Sequence, residues 1–175
     1  MKKNFSLFEE LEKNIQVIDN INDSIKITLG PTGKNGILSN QKGNLKIITT
    51  GSILLNALEF SSKSSNILLK LFQQSSVKTT TISGDGSTTT TIFACSLLKN
   101  CLRLLENGSN RILLSNGLKR LSYYFLEKIL ELSIPISTEI ELEGLLKTTL
   151  GQKLNSDFFT ILRKSISNLA RDGLI

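Results

Sequence analysis

The chain has 175 residues, 39% of them hydrophobic, with 21 Lys and Arg against 15 Asp and Glu, a formal charge of +6 at neutral pH. That is the length of one domain and enough to bury a core. It contains no His and only two cysteines, Cys95 and Cys101, which excludes zinc sites, His-based acid–base pairs and Cys–His nucleophiles.

The basic residues are spread along the chain rather than massed in runs, which favours solvated faces over a nucleic-acid patch. Tyr123 and Tyr124 stand in a stretch that reads as core, so a basic RNA-binding surface with stacking aromatics is the weakest functional reading, and no nucleic-acid partner is expected. The start, Met1-Lys2-Lys3-Asn4-Phe5-Ser6-Leu7-Phe8-Glu9-Glu10, is charged and lacks the ~20 apolar residues of a membrane span or the apolar core of a signal peptide. No membrane association is expected, and a reducing compartment suits the two unpaired cysteines. The lean towards Ile, Leu, Asn, Lys and Ser fits an AT-rich genome such as an organelle's, with the cytoplasm as the alternative.

In chain order, Leu11, Ile15, Ile18, Ile21 and Ile25 recur every three or four residues, predicting an amphipathic helix to about Thr28. Gly30-Pro31 ends it. The loop Leu29 to Asn35 must turn, and its glycines allow close backbone approach to a ligand. It is not a Walker loop, because Lys34 is followed by Asn35 and no buried strand leads in. Gly36 to Leu38 and Leu45 to Ile48, around the polar loop Asn40 to Asn44, predict a small β-hairpin that needs helices or a neighbouring chain to stand. Helices follow from about Ser52 to Leu58 and from about Ser64 towards Val77, joined by a serine-rich loop.

Next comes Gly84-Asp85-Gly86-Ser87-Thr88-Thr89-Thr90-Thr91, a glycine-flanked acid followed by hydroxyls and an apolar run. By residue type it is either an ordinary turn with a helix cap or an anion loop. In the second case the N–H groups at a helix start hold phosphate, and Asp85 holds the Mg²⁺ that accompanies polyphosphate. The helix it opens runs from Ser87 to about Glu106 and stops at Asn107-Gly108. It is apolar on more than one face and is expected at the centre of a bundle, with Cys95 and Cys101 on different faces as small buried residues. Ser109-Asn110 starts another helix whose stripe Leu114, Leu118, Leu121, Phe125, Ile129 and Leu132 reads as core. Pro135 breaks the pattern. Two further helices, about Ser137 to Leu150 and Asn155 to Arg171, precede Asp172-Gly173-Leu174-Ile175, which reads as a helix stop and the beginning of a strand that is cut off.

Gly84 to Thr89, with Thr91, Ile92 and Ala94, closely resembles the Gly-Asp-Gly-Thr-Thr-Thr phosphate loop of the chaperonin family. Leu29-Gly-Pro-Thr-Gly-Lys-Asn35 resembles that family's second nucleotide loop. The resemblance covers nearly the whole chain and implies a mainly α fold: a helical bundle of the group I equatorial-domain type with a small β-hairpin. It places an equatorial nucleotide-binding domain over 1–134 and the start of an intermediate domain over 135–175, with the apical domain and the returning half of the equatorial domain absent. The cofactors it implies are ATP and Mg²⁺. Thr28, Gly30, Pro31, Asp85, Gly86, Ser87, Thr88 and Thr89 would face the nucleotide, with Asp85 on the metal and the backbone and hydroxyls of Ser87, Thr88 and Thr89 around the phosphates. The partners it implies are other chaperonin subunits in a ring, one of them pairing with the hairpin, and unfolded client proteins; a plastid or other organelle interior is the expected location.

One departure stands out. The family carries Lys-Asp-Gly at the end of the hairpin, and alignment on Gly51 puts Thr49 and Thr50 at the Lys and Asp positions. A hydroxyl carries no charge to orient water or stabilise a cation, so no catalytic residue is assigned. An ATP-dependent folding subunit and a remnant that keeps the fold without the ATPase are the two readings carried forward.

Overall fold

The computed structural model describes residues 2–30, 33–39, 45–48, 50–150 and 156–171. Within them lie seven α-helices and one two-stranded antiparallel sheet: α1 Lys2–Ile25, β1 Gly36–Ser39, β2 Leu45–Ile48, α2 Gly51–Ala57, α3 Lys63–Ser83, α4 Ser87–Glu106, α5 Arg111–Leu132, α6 Glu139–Leu150 and α7 Ser156–Arg171. A 3-10 turn, Lys26–Thr28, extends α1. The fold is mainly α with a small hairpin, as predicted. The predicted strand at Asp172 to Ile175, Pro31, Thr49 and the hairpin loop at Asn40 to Asn44 lie outside the described residues.

The chain divides into two compact units, Met1–Leu29 with Gly33–Arg120, and Leu121–Ile175 with Gly30–Thr32. The first has the core. Ile18, Ile21 and Ile25, the predicted stripe of α1, are fully buried with Ile48 of β2 and Leu55 of α2, beside Leu69 and Phe72 of α3 and Cys95 of α4. Each such side chain contributes roughly 1.5–3 kcal/mol by leaving water, which is what holds α1 against its neighbours. α4 packs on α1, α2 and α3, with Ile92, Ala94, Leu98 and Leu102 flanking the core, yet Phe93 and Leu104 face outward. Lys99 of α4 reaches Asp19 of α1 at 2.6 and 2.8 Å.

Two helices run further than their apolar periodicity. α1 begins at Lys2 rather than Leu11 because Lys2 to Glu10 contains no Gly or Pro to break it. α3 runs past Val77 through the threonines, whose hydroxyls donate back to carbonyls four residues earlier: Thr79 to Ser75 at 3.0 Å, Thr80 to Ser76 at 3.1 Å and Thr81 to Val77 at 2.9 Å. Each hydroxyl shares a carbonyl of the helix's own backbone, so the threonines satisfy their side chains without leaving the helix. Gly84, at φ 75°, ends it by donating its N–H to the Thr80 carbonyl at 2.9 Å.

The expectation that the α5 stripe is core is not met. α5 buries none of its side chains, and Phe125, Ile129 and Leu132 are 41%, 60% and 78% exposed. The helix itself is well started, since the side chain of Asn110 accepts the N–H groups of Ile112 and Leu113 at 2.8 and 3.2 Å. Of the same stripe, Leu114 and Leu118 are half-buried.

In the second unit α6 opens with a capping box. Glu141 accepts the N–H groups of Ser137 and Thr138 at 2.9 and 3.0 Å, while its own N–H reaches the Thr138 hydroxyl at 3.3 Å. These bonds hold the Glu141 carboxyl below its ordinary range. Glu143 ties α6 to α7 through Arg163 at 2.7 Å and also pairs with Lys147 at 2.9 Å.

Both cysteines are buried, as expected. Burial first, and the nearby Asp19 carboxylate second, push the Cys95 thiol up to about 12. Because only the thiolate is the nucleophile, Cys95 is expected to resist iodoacetamide at pH 8 in the folded chain and to label in denaturant. Rapid labelling under native conditions, read by mass spectrometry, contradicts that.

Candidate functional site

The glycine-flanked acid lies between α3 and α4. Gly84 and Gly86 adopt left-handed conformations, φ 75° and 87°, which only glycine takes up without strain, and Asp85 between them is exposed. Gly86 is the N-cap of α4, and the first bond of the helix runs from the Thr90 N–H to the Gly86 carbonyl at 2.9 Å. The N–H groups of Ser87, Thr88 and Thr89 therefore have no partner within the helix, and among the described residues no side-chain cap bond is made there. Three donors without a partner inside their own helix, at the positive end of a 20-residue helix, suit an anion.

Sixty residues earlier in sequence, Thr28 ends the 3-10 turn and enters the same place. Its hydroxyl donates to the Ile25 carbonyl at 2.9 Å and lies 3.2 Å from the hydroxyl of Thr88. Since Thr28 has one proton and spends it on Ile25, Thr88 is the donor when both bonds are made. The Lys34 N–H closes the loop beyond Thr28 on the Ile27 carbonyl at 2.8 Å.

Of the predicted site residues, the structure brings Thr28 to Thr88 and sets Asp85 and Gly86 immediately before the start of α4. Ser87 is buried, Thr88 half-buried and Thr89 exposed. Ser87 gives its carbonyl to the buried hydroxyl of Thr91 at 2.8 Å. Gly30 is exposed with φ 77°; Pro31 is outside the described residues.

The donor set fits Mg-polyphosphate chemistry. Among the described residues no three acidic, His or Cys side chains form a metal cluster. Asp85 offers one exposed carboxylate beside the start of α4. Mg²⁺ is commonly held by one or two carboxylates together with phosphate oxygens and water, and a carboxylate beside the N–H groups of a helix start is compatible with that arrangement.

One residue had no site role in the sequence reading. Gly51, the first residue of α2, is buried against the hydroxyl pair: a Cβ there would overlap the Thr88 hydroxyl, 3.1 Å from the Thr88 Cβ and 3.2 Å from the Thr28 hydroxyl. The available signal was a glycine opening a helix where almost any other residue forms helix better. Thr50 is the N-cap of α2, in extended conformation, its side chain making no cap bond and lying 3.5 Å from the Ser52 hydroxyl.

The TCP-1/cpn60 chaperonin family matches residues 21–174 of the chain. The chain is 29% identical over 165 residues to the chloroplastic chaperonin GroEL of Cyanidium caldarium, covering 94% of this chain and 30% of that protein. It is 27% identical over 158 residues to the chaperonin GroEL of Acholeplasma laidlawii (strain PG-8A), covering 90% and 29%. It is 28% identical over 165 residues to the chloroplastic chaperonin GroEL of Gracilaria tenuistipitata var. liui, covering 94% and 30%. The chain thus spans under a third of the length of these curated relatives. Among its described residues no helix is long and apolar enough to cross a membrane. A match over nearly its whole length makes this chain a member of the TCP-1/cpn60 chaperonin family, of the group I, GroEL-like kind.

Proposed function

We propose that the chain is the ATP-binding part of a chaperonin subunit that assists protein folding. The observation that supports this most is the helix start at Ser87 to Thr89, free of partners within its own helix, flanked by Asp85 and joined by the Thr28 hydroxyl. In this reading the N–H groups of Ser87, Thr88 and Thr89 hold phosphate oxygens, with the hydroxyls of Thr88 and Thr89 beside them. Thr28, Gly30 and Pro31 border the nucleotide from the other loop, and Asp85 takes the Mg²⁺, whose charge offsets that of the phosphates. The equatorial domain is proposed for residues 1–134 and the start of the intermediate domain for 135–175.

The subunit assembles with copies of itself or with related subunits. A neighbour is proposed to cover the hairpin, whose paired Ile37 and Ile47 are 70% and 67% exposed. The rest of a subunit of the relatives' length is the proposed cover for the α5 stripe. Two of the relatives are chloroplastic, which supports a plastid location.

Titration of the chain with a fluorescent ATP analogue, with and without Mg²⁺, tests the site. Binding is expected to strengthen with Mg²⁺ and to lose that dependence in Asp85→Ala. Equal binding by both forms, indifferent to metal, overturns the assignment.

A second reading is favoured by one residue. By the alignment on Gly51, Thr50 stands where the family has an acidic group, so the chain is also consistent with a remnant that keeps the fold but lacks the ATPase and acts as a binding or structural piece.

A further inference from the structure

Three segments distant in sequence meet at one point: the turn after α1 through Thr28, the start of α2 through Gly51, and the first turn of α4 through Thr88. Gly51 is buried there, and the space its side chain would need is filled by the Thr88 hydroxyl. None of the left-handed glycines of the chain is Gly51, so its backbone does not require glycine. The requirement comes from its neighbours. A methyl at position 51 displaces the Thr88 hydroxyl and separates it from Thr28, since the Thr28 hydroxyl stands only 3.2 Å from the same point.

We propose that residue 51 is a positioning residue that sets the Thr28–Thr88 hydroxyl pair, and through it the grip of the first turn of α4 on the phosphates of a nucleoside triphosphate. The inference depends on the nucleotide reading of that site. Its mechanism is steric: Gly51 fixes where Thr88 points and how closely α2 approaches α4.

The test is a double-mutant cycle on the full chain with Gly51→Ala, Thr88→Ala and the pair together. Two quantities are read, Mg-ATP affinity with the fluorescent analogue and the midpoint of thermal unfolding. Alanine is a better helix former than glycine, so without the overlap Gly51→Ala raises the midpoint. The expected result is the opposite sign: a lower midpoint and affinity reduced about tenfold or more in the wild-type background. In the Thr88→Ala background, where the overlapping hydroxyl is gone, Gly51→Ala is expected to cost less than about twofold in affinity and to leave the midpoint unchanged or higher. Additive losses in affinity overturn the proposal. So does unchanged affinity in Gly51→Ala, whatever its midpoint, because the role is then only structural. If the wild-type chain binds no Mg-ATP, the nucleotide reading itself fails and this proposal falls with it; binding by wild type with equal binding by Gly51→Ala overturns this proposal alone.

Discussion

Replacing Ile21 with alanine is expected to lower the unfolding free energy of the chain by about 3 kcal/mol, with the urea dependence of that free energy unchanged. Ile21 is fully buried in the cluster that joins α1 to β2, α2, α3 and α4. The truncation removes apolar contact and leaves a cavity among residues that belong to five elements, so the site cannot collapse by moving one of them. Domains of this size hold only about 5–15 kcal/mol in total, so the loss is a large fraction. Ile67→Ala is the control: Ile67 lies on α3 at 65% exposure, and its truncation is expected to change stability by under about 0.5 kcal/mol. Urea unfolding followed by far-UV circular dichroism gives both numbers. Equal losses at the two positions contradict the assignment of the core to the α1 stripe.

The α1 stripe was legible because a period of three to four residues coincides with burial along the helix. The same reasoning applied to α5 found the helix and misread its surroundings. Periodicity reports the face a helix is made to bury, whereas burial requires another element to lie against it, and α5 buries no side chain here. The bounds of α4 were legible at both ends, since Gly86 and Asn107-Gly108 are local signals acting through their own backbone. The end of α3 was not: Thr79 to Thr81 stay helical by turning their hydroxyls back onto the helix, which apolar periodicity does not register. At the site, the turn at Gly84 to Gly86 was legible from residue type alone. The meeting of Thr28 with Thr88 follows from the packing of α1 on α4, and only resemblance joined the two loops beforehand. Gly51 escaped for the same reason, as its neighbours are distant in sequence.

Thr50→Asp is expected to raise ATP turnover about a hundredfold in a chain extended to the length of its chaperonin relatives, since one electrostatic contact to the reacting groups is typically worth about 3 kcal/mol. Thr50 immediately precedes Gly51, whose contacts reach Thr88 and Thr28, so a carboxylate at position 50 enters at the edge of the proposed phosphate site. The Thr50 hydroxyl now makes no cap bond to α2 and carries no charge. Phosphoryl transfer depends on positioning and charge stabilisation rather than on covalent help from the protein, which is why one missing carboxylate reduces turnover while leaving binding intact. Aspartate is also a good N-cap, so the substitution can stabilise α2 as well. Single-turnover hydrolysis at saturating Mg-ATP separates the two effects: a capping gain shifts the unfolding midpoint, and only a gain in chemistry shifts the rate. If the wild-type chain already turns over as fast as Thr50→Asp, either the alignment through Gly51 is off by a residue or another carboxylate, with the exposed Glu59 nearest in sequence, carries the role.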